Sequence, residues 1–181
     1  LAPNMNPNIS SVGFFQNVYD SRTRGLEIVT IYNRPLGSGD LTLTGAYTTI
    51  DSDVTRADRP LDEAERTFFE NPVPEHRATI SAVYERGYLE WFARLRYYGA
   101  WSDVNGDVEA DYQNFGGRRF LDLGMTWHVN EALAFKVGAE NVFDVYPDKA
   151  RRQSNRGLIY SRNTPYDTDG GLLYARLTSR F

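Results

Sequence analysis

Seven segments of this chain read as strands, and in most of them apolar and polar residues alternate one for one. The clearest run sets Leu121, Leu123, Met125, Trp127 and Val129 against Asp122, Gly124, Thr126 and His128. Successive side chains of an extended strand point to opposite faces, so such a run makes a strand with one apolar and one polar side. The same period recurs in Leu41 to Tyr47, Ala78 to Tyr84, Trp91 to Tyr98, Leu133 to Glu140 and Leu173 to Phe181. A longer stretch, about Val12 to Arg34, carries no proline and places Leu26, Ile28 and Tyr32 opposite Glu27. No stretch of comparable length shows apolar residues at helical spacing. The expected fold class is all-β and antiparallel.

The connections alternate in length. Pro35 to Gly39, Arg86 to Gly87 and Asn130 to Glu131 are tight, whereas Asp51 to Glu75, Ser102 to Gly116 and Asp144 to Gly170 are long and rich in Asp, Arg, Asn, Gly and Pro. Short turns on one side and long loops on the other are the habit of outer-membrane barrels.

A soluble antiparallel sheet with one wet face would also alternate. Two features favour a transmembrane β-barrel. The polar face carries charge in nearly every strand, through Glu27, Arg77, Arg94, Arg96, Asp122, Lys136, Glu140, Arg176 and Arg180, as a water-containing lumen requires. Aromatic residues, 14% of the chain, gather near strand ends, among them Tyr32, Tyr47, Tyr84, Tyr88, Trp91, Tyr97, Tyr98, Trp101 and Trp127. Rings with a polar tip suit the headgroup level of a bilayer. A mean hydropathy of -0.52 agrees with this, because only alternate residues of a barrel strand meet lipid.

Three motifs then carry a resemblance. VGFFQNVYDSRTRGLEI, with Asn17, Arg24, Gly25 and Glu27, resembles the R-G-x-E strand of TonB-dependent outer-membrane receptors. AENVFDVYP, with Asn141, Phe143, Asp144 and Tyr146, is similar to that family's N-x-F-D-x-x-Y ending of the penultimate strand or a near variant. GGLLYARLTSRF is similar to its last strand, through Tyr174, Leu177 and Phe181. The resemblance implies that residues 1–181 are the C-terminal portion of a barrel of about 22 strands, of which this chain supplies seven. It places Phe181 at the periplasmic end and all three long loops outside.

The family's plug and its energy-coupling box are absent, and LAPNMNPNIS has neither the basic nor the apolar region of a signal peptide, so the chain is expected to be a fragment. The implied function is TonB-dependent uptake of a ferric siderophore or similar scarce nutrient across a Gram-negative outer membrane. The implied partners are outer-membrane lipid, the N-terminal plug with the remaining barrel, the TonB complex acting through that plug, and the barrel-assembly machinery. The latter is expected to read Tyr174, Leu177 and Phe181. A soluble all-β ligand-binding module and a complete small porin-like barrel are the alternatives, the second disfavoured by an odd strand count.

Chemistry-bearing residues are sparse. There is no cysteine, so no disulfide framework or thiolate site. Asp103, Asn105, Asp107, Glu109 and Asp111 alternate in one loop, but Val108 stands where a calcium loop needs glycine and Asn114 where it needs glutamate. His76 and His128 lie far apart, no nucleophile motif is present, and no metal, cofactor or enzyme activity is expected. The 20 basic and 24 acidic residues form no basic block, which argues against nucleic acid. In the last long loop Arg151, Arg152, Arg156 and Arg162 accompany Tyr160. Arginine and tyrosine can bind an anionic or aromatic chelate by charge-assisted hydrogen bonds and stacking, and these five are the candidate substrate contacts.

Overall fold

A computed structural model of the chain describes residue 17 and residues 19–104, 112–151 and 157–180. Strands β1 (Tyr19–Leu36), β2 (Gly39–Ala57), β3 (His76–Arg86), β4 (Leu89–Tyr98), β7 (Arg118–His128), β8 (Leu133–Glu140) and β9 (Leu172–Ser179) form one antiparallel sheet in that order. All seven expected strands are present. Between β4 and β7 a separate hairpin pairs β5 (Trp101–Val104) with β6 (Tyr112–Phe115), and helix α1 (Glu63–Glu70) lies between β2 and β3.

Turn chemistry fixes the register. Gly37 and Gly87, with φ of 62° and 58°, each open a two-residue hairpin loop whose second residue, Ser38 or Tyr88, keeps a negative φ. That is the II′ pattern, whose twist matches the flanking strands and whose first position favours glycine. The β7–β8 turn is instead held by Asn130, whose Oδ1 accepts the Ala132 N–H at 2.9 Å.

Directly opposed residues share a face, so the pairings can be followed across the whole sheet. One row runs Tyr32, Leu43, Ala82, Ala93, Leu123, Ala139, Leu173, and its neighbour runs Arg34, Leu41, Tyr84, Trp91, Met125, Val137, Ala175. The other face carries Ile31, Thr44, Ser81, Arg94 and Asp122 in one row and Val29, Ala46, Thr79, Arg96 and Phe120 in the next. The alternation of each strand thus adds up to one apolar and one polar surface. Among the described residues no second layer covers the apolar one: Leu123 is 41% exposed and Leu173 84%, whereas Asp122 is 1% exposed. A soluble module built on this sheet would need those side chains buried. Among the described residues β1 and β9 are edges and do not pair with each other, which sets aside a complete small barrel.

On the apolar face Tyr47 and Tyr97 stand near the loop end, and Tyr84, Trp91 and Trp127 near the turns, with Tyr84 stacked on Trp91 at 5.5 Å. From Leu89 to Tyr97 the strand advances about 27 Å, or about 20 Å perpendicular to a bilayer at the usual tilt. No helix of the described residues is long and apolar enough to cross a membrane.

Several details differ from the sequence reading. Residues 12–16 and 18 lie outside the described residues, and β1 runs from Tyr19 to Leu36. β2 continues to Ala57, laddered with β1 as far as Tyr19, and Arg24 and Arg56 pair with Asp53 and Asp20 across it at 3.0 and 3.2 Å. Helix α1 was hidden by its length, yet Asp62 and Glu65 form a capping box that starts it. Two aromatics expected at the membrane interface point elsewhere. Tyr98 lies on the polar face, one residue out of phase with Tyr97, and Trp101 is 2% exposed within the loop layer.

Candidate functional site

The polar face is organised around Asp122. Register sets Arg94 opposite it, and Arg96 two residues further along the same face. Arg94 Nε donates to Oδ2 at 2.8 Å, Arg96 Nε and Nη2 donate to Oδ2 and Oδ1 at 3.0 and 2.9 Å, and the Asn141 N–H donates to Oδ1 at 2.9 Å. A buried carboxylate is tolerable only when paired and hydrogen-bonded, and here four donors converge on it. The guanidiniums also lie over aromatic rings, Arg94 on Phe92 at 5.7 Å and Arg96 on Phe120 at 5.3 Å, with Lys136 Nζ 5.8 Å from Phe92 on the same ring.

Asn141 closes β8. Its φ of 48° and that of Asp144, 52°, lie in the left-handed region, which Asn and Asp enter more readily than other non-glycine residues. The Asn141 side chain donates to Val145 O at 2.8 Å and accepts the Val145 N–H at 2.9 Å, and Asp144 Oδ1 accepts the Gly171 N–H at 2.8 Å. Within the motif, Asn141 shapes the turn after β8 and Asp144 ties it to the start of β9, while Phe143 is exposed. Asp144 also raises the pKa of the Tyr146 phenol, chiefly through a hydrogen bond to its carboxylate.

Above the sheet the long connections pack on one another. The Trp101 and Phe115 rings stack at 4.5 Å within the β5–β6 hairpin, and Tyr166 from the last loop packs on Tyr98 and Phe120 at 5.1 and 5.0 Å. Burial raises the Tyr166 pKa. Ser102 N–H donates to Asn71 O at 2.9 Å, joining the hairpin to the residue after α1. Asp103 is 1% exposed and accepts from Ser161 Oγ and, at 2.9 Å, from Asn163 Nδ2. Its carboxylate thus holds the last loop rather than facing solvent. Residues 105–111, with the other four members of the alternating acidic run, lie outside the described residues. Gln113 Nε2 donates to Lys149 O at 3.0 Å, which also joins the hairpin to the last loop, and Arg118 at the start of β7 pairs with Asp148.

Beneath the last loop a pocket of about 180 Å³ is bounded by Arg96, Phe120, Glu140, Asn141, Asp167 and Asp169. Its wall mixes one guanidinium, already engaged by Asp122, with three carboxylates, so it suits a small polar solute. The carboxylates do not make a metal site, since no group of three or more His, Cys, Asp or Glu among the described residues could hold an ion. Sequence reasoning placed Arg94, Arg96, Asp122 and Glu140 on the polar side but could not join them. The Asn141 motif was the one signal pointing to this corner.

Of the candidate substrate contacts, the described ones, Arg151, Tyr160 and Arg162, are not among the residues lining that pocket. Arg151 is exposed, with its backbone N–H donating to Gln113 Oε1 at 2.8 Å. Tyr160 is half-buried and stacks on Tyr146 at 6.3 Å, and Arg162 is exposed. The Ala150 N–H donates to Ile159 O at 2.9 Å, which brings Arg151 and Tyr160 to the same base of the loop. Arg152 and Arg156 lie outside the described residues. Of the last-strand residues, Tyr174 covers Gly138 on the polar face, Leu177 is 68% exposed on the apolar face, and Phe181 lies outside the described residues. His76 contacts the Tyr47 hydroxyl through Nδ1 at 2.9 Å, far along the sheet from His128 in the turn-end half of β7.

Comparison with known proteins agrees with this architecture. A profile of the family described as TonB dependent receptor-like, beta-barrel matches residues 2–142. Solved structures with a similar fold include the ferric-catecholate import receptor Fiu from E. coli K12 in its closed form. The two share 20% identity at a TM-score of 0.61, over 87% of this chain and 21% of that one. The chain therefore spans about a fifth of that receptor. No curated protein sequence matches it. With an open antiparallel sheet bearing one bare apolar face, and with a family profile covering most of its length, the chain belongs to the TonB-dependent receptor β-barrel family.

Proposed function

We propose that residues 1–181 are the C-terminal portion of the barrel of a Gram-negative outer-membrane receptor that takes up a ferric siderophore or a similar scarce nutrient. The observation that carries this reading is the docking of all three long connections at one end of the sheet, next to Arg151, Tyr160 and Arg162 and over a charged polar face. An aromatic, anionic chelate suits tyrosine stacking and guanidinium hydrogen bonds, and the fold relative Fiu imports ferric catecholates. Arg152 and Arg156 belong to the same proposal.

In this reading the apolar face meets outer-membrane lipid, and the open edges β1 and β9 pair with the remaining barrel strands. The polar face surrounds an N-terminal plug through which the TonB complex supplies energy, and the barrel-assembly machinery inserts the whole. The role is transport, with no catalytic step.

The test is growth of a strain lacking the full gene on defined iron sources, with the wild-type gene or R151Q/R162Q restored. Wild type should restore growth on one chelate class, and the double variant should need about tenfold more of that chelate. Equal growth with and without the gene on every iron chelate would overturn the iron reading.

A further inference from the structure

On the apolar face, charge is distributed unevenly. Between the Tyr47, Ala78, Tyr97, Arg119 row and the turns, the strand positions of this face include two ionisable side chains of acidic or basic type, Arg34 and Arg86, and both are basic. The carboxylates of the same turns, Asp40, Glu85 and Glu90, oppose one another on the polar face. Arg86 has no acidic partner among the described residues.

Arg86 also stands at the rim of an apolar cleft of about 760 Å³ walled by Tyr88, Trp91, Met125 and Trp127. The cleft is built firmly. Trp91 opposes Met125 and Leu89 opposes Trp127 in the β4–β7 register, Tyr84 stacks behind Trp91, and the His128 N–H donates to Tyr88 O at 2.8 Å. A Cβ placed on Gly87 would meet nothing within 4 Å, so the rim is open there. An apolar groove with one unpaired guanidinium at its mouth, set among rings at headgroup depth, is complementary to an acyl chain joined to a phosphate.

We propose that this cleft seats one anionic glycerophospholipid of the turn-side leaflet, its phosphate on Arg86 and an acyl chain along Trp91, Met125 and Trp127. The proposal rests on the reading that the apolar face meets the membrane.

The test uses the full-length receptor in phosphatidylcholine nanodiscs containing acyl-brominated phosphatidylglycerol or acyl-brominated phosphatidylcholine, which quench nearby tryptophan. The signal of Trp91 and Trp127 is obtained by subtracting that of W91F/W127F. Half-quenching is expected at a mole fraction about fivefold lower for the brominated phosphatidylglycerol, the effect of one basic side chain at anionic lipid. R86Q should abolish that preference and R86K should keep it. Equal quenching by both lipids in wild type would mean ordinary lipid contact and would overturn the site while leaving the membrane reading intact. Absence of quenching by either would overturn the membrane-facing reading and the site with it. Relief of quenching by purified lipopolysaccharide at equimolar ratio would give the cleft a different occupant and overturn the proposal.

Discussion

Arg94 and Asp122 face each other across the β4–β7 pair, Nε to Oδ2 at 2.8 Å, and the carboxylate between them and Arg96 is almost inaccessible. Removing it strands two guanidiniums and the Asn141 N–H. Because Arg94 and Arg96 keep 36% and 21% of their side chains exposed and can be partly resolvated, Asp122→Ala should destabilise the full-length receptor by about 1–3 kcal/mol, the usual cost of stranding a hydrogen-bonding partner. Asp122→Asn, which keeps the acceptor oxygen, should cost less. Thermal unfolding in detergent measures both, and an unchanged midpoint for Asp122→Ala would show that water replaces the carboxylate at no cost.

Gly138 and Tyr174 form a second pair of this kind. A methyl group on Gly138 would lie 2.5 Å from Tyr174 Cζ and 2.9 Å from Leu123 O, and only the ring can move away. Gly138→Ala should cost about 1–3 kcal/mol by overpacking. Tyr174→Ala in the same background should recover part of that loss, leaving a non-zero coupling in a double-mutant cycle. Full additivity would show that the ring does not constrain the glycine.

Helix α1 should respond to acid in a definite direction. The Glu65 carboxyl is held below its ordinary pKa first by the hydrogen bond from Arg59, and further by the Asp62 N–H. A depressed carboxylate stabilises the folded form above its unfolded pKa and loses that contribution as pH falls through its folded pKa. Amide protection at Arg66 and Thr67, corrected for the intrinsic pH dependence of exchange, should accordingly fall at pH below the ordinary glutamate range. Glu65→Gln should weaken that pH dependence, and Asp62→Ala should weaken the helix by about 1 kcal/mol at neutral pH. Identical pH profiles for wild type and Glu65→Gln would contradict the assignment.

Phe181 bears on assembly. In the proposed barrel the final strand must pair with another, because unsatisfied backbone groups in hydrocarbon cost several kcal/mol each. Its terminal aromatic would anchor that end at the interface. Deleting Phe181 from the full-length protein should lower the amount found in the outer membrane far more than the amount synthesised, measured by fractionation against pulse-labelled total. Wild-type assembly of the deleted form would remove Phe181 from the set of assembly determinants.

The seven strands of the main sheet, their faces and the alternation of turns and loops were present in the sequence, because side-chain period and turn chemistry are local properties, whereas the short β5–β6 hairpin read as loop. Leu123 and Asp122 declare opposite faces from their immediate neighbours alone, and Gly37 and Gly87 announce their turns. The Asn141 motif was legible as a motif but not as a device. Its side-chain clasp on Val145 depends on a left-handed backbone that residue identity permits without dictating. What tertiary structure alone decided were the meetings of residues distant in the chain. Arg94, Arg96 and Asp122 become one site through the β4–β7 register, and that register spans a loop whose length the local pattern leaves free. Trp101 looked like an interfacial aromatic and proved to be buried against Phe115, because a four-residue strand within a long connection is too short for its period to fix which way a ring points. The cleft at Arg86 likewise needed Met125 and Trp127 to arrive from another strand. Local pattern sets the face of each strand, and pairing between strands sets what each face can hold.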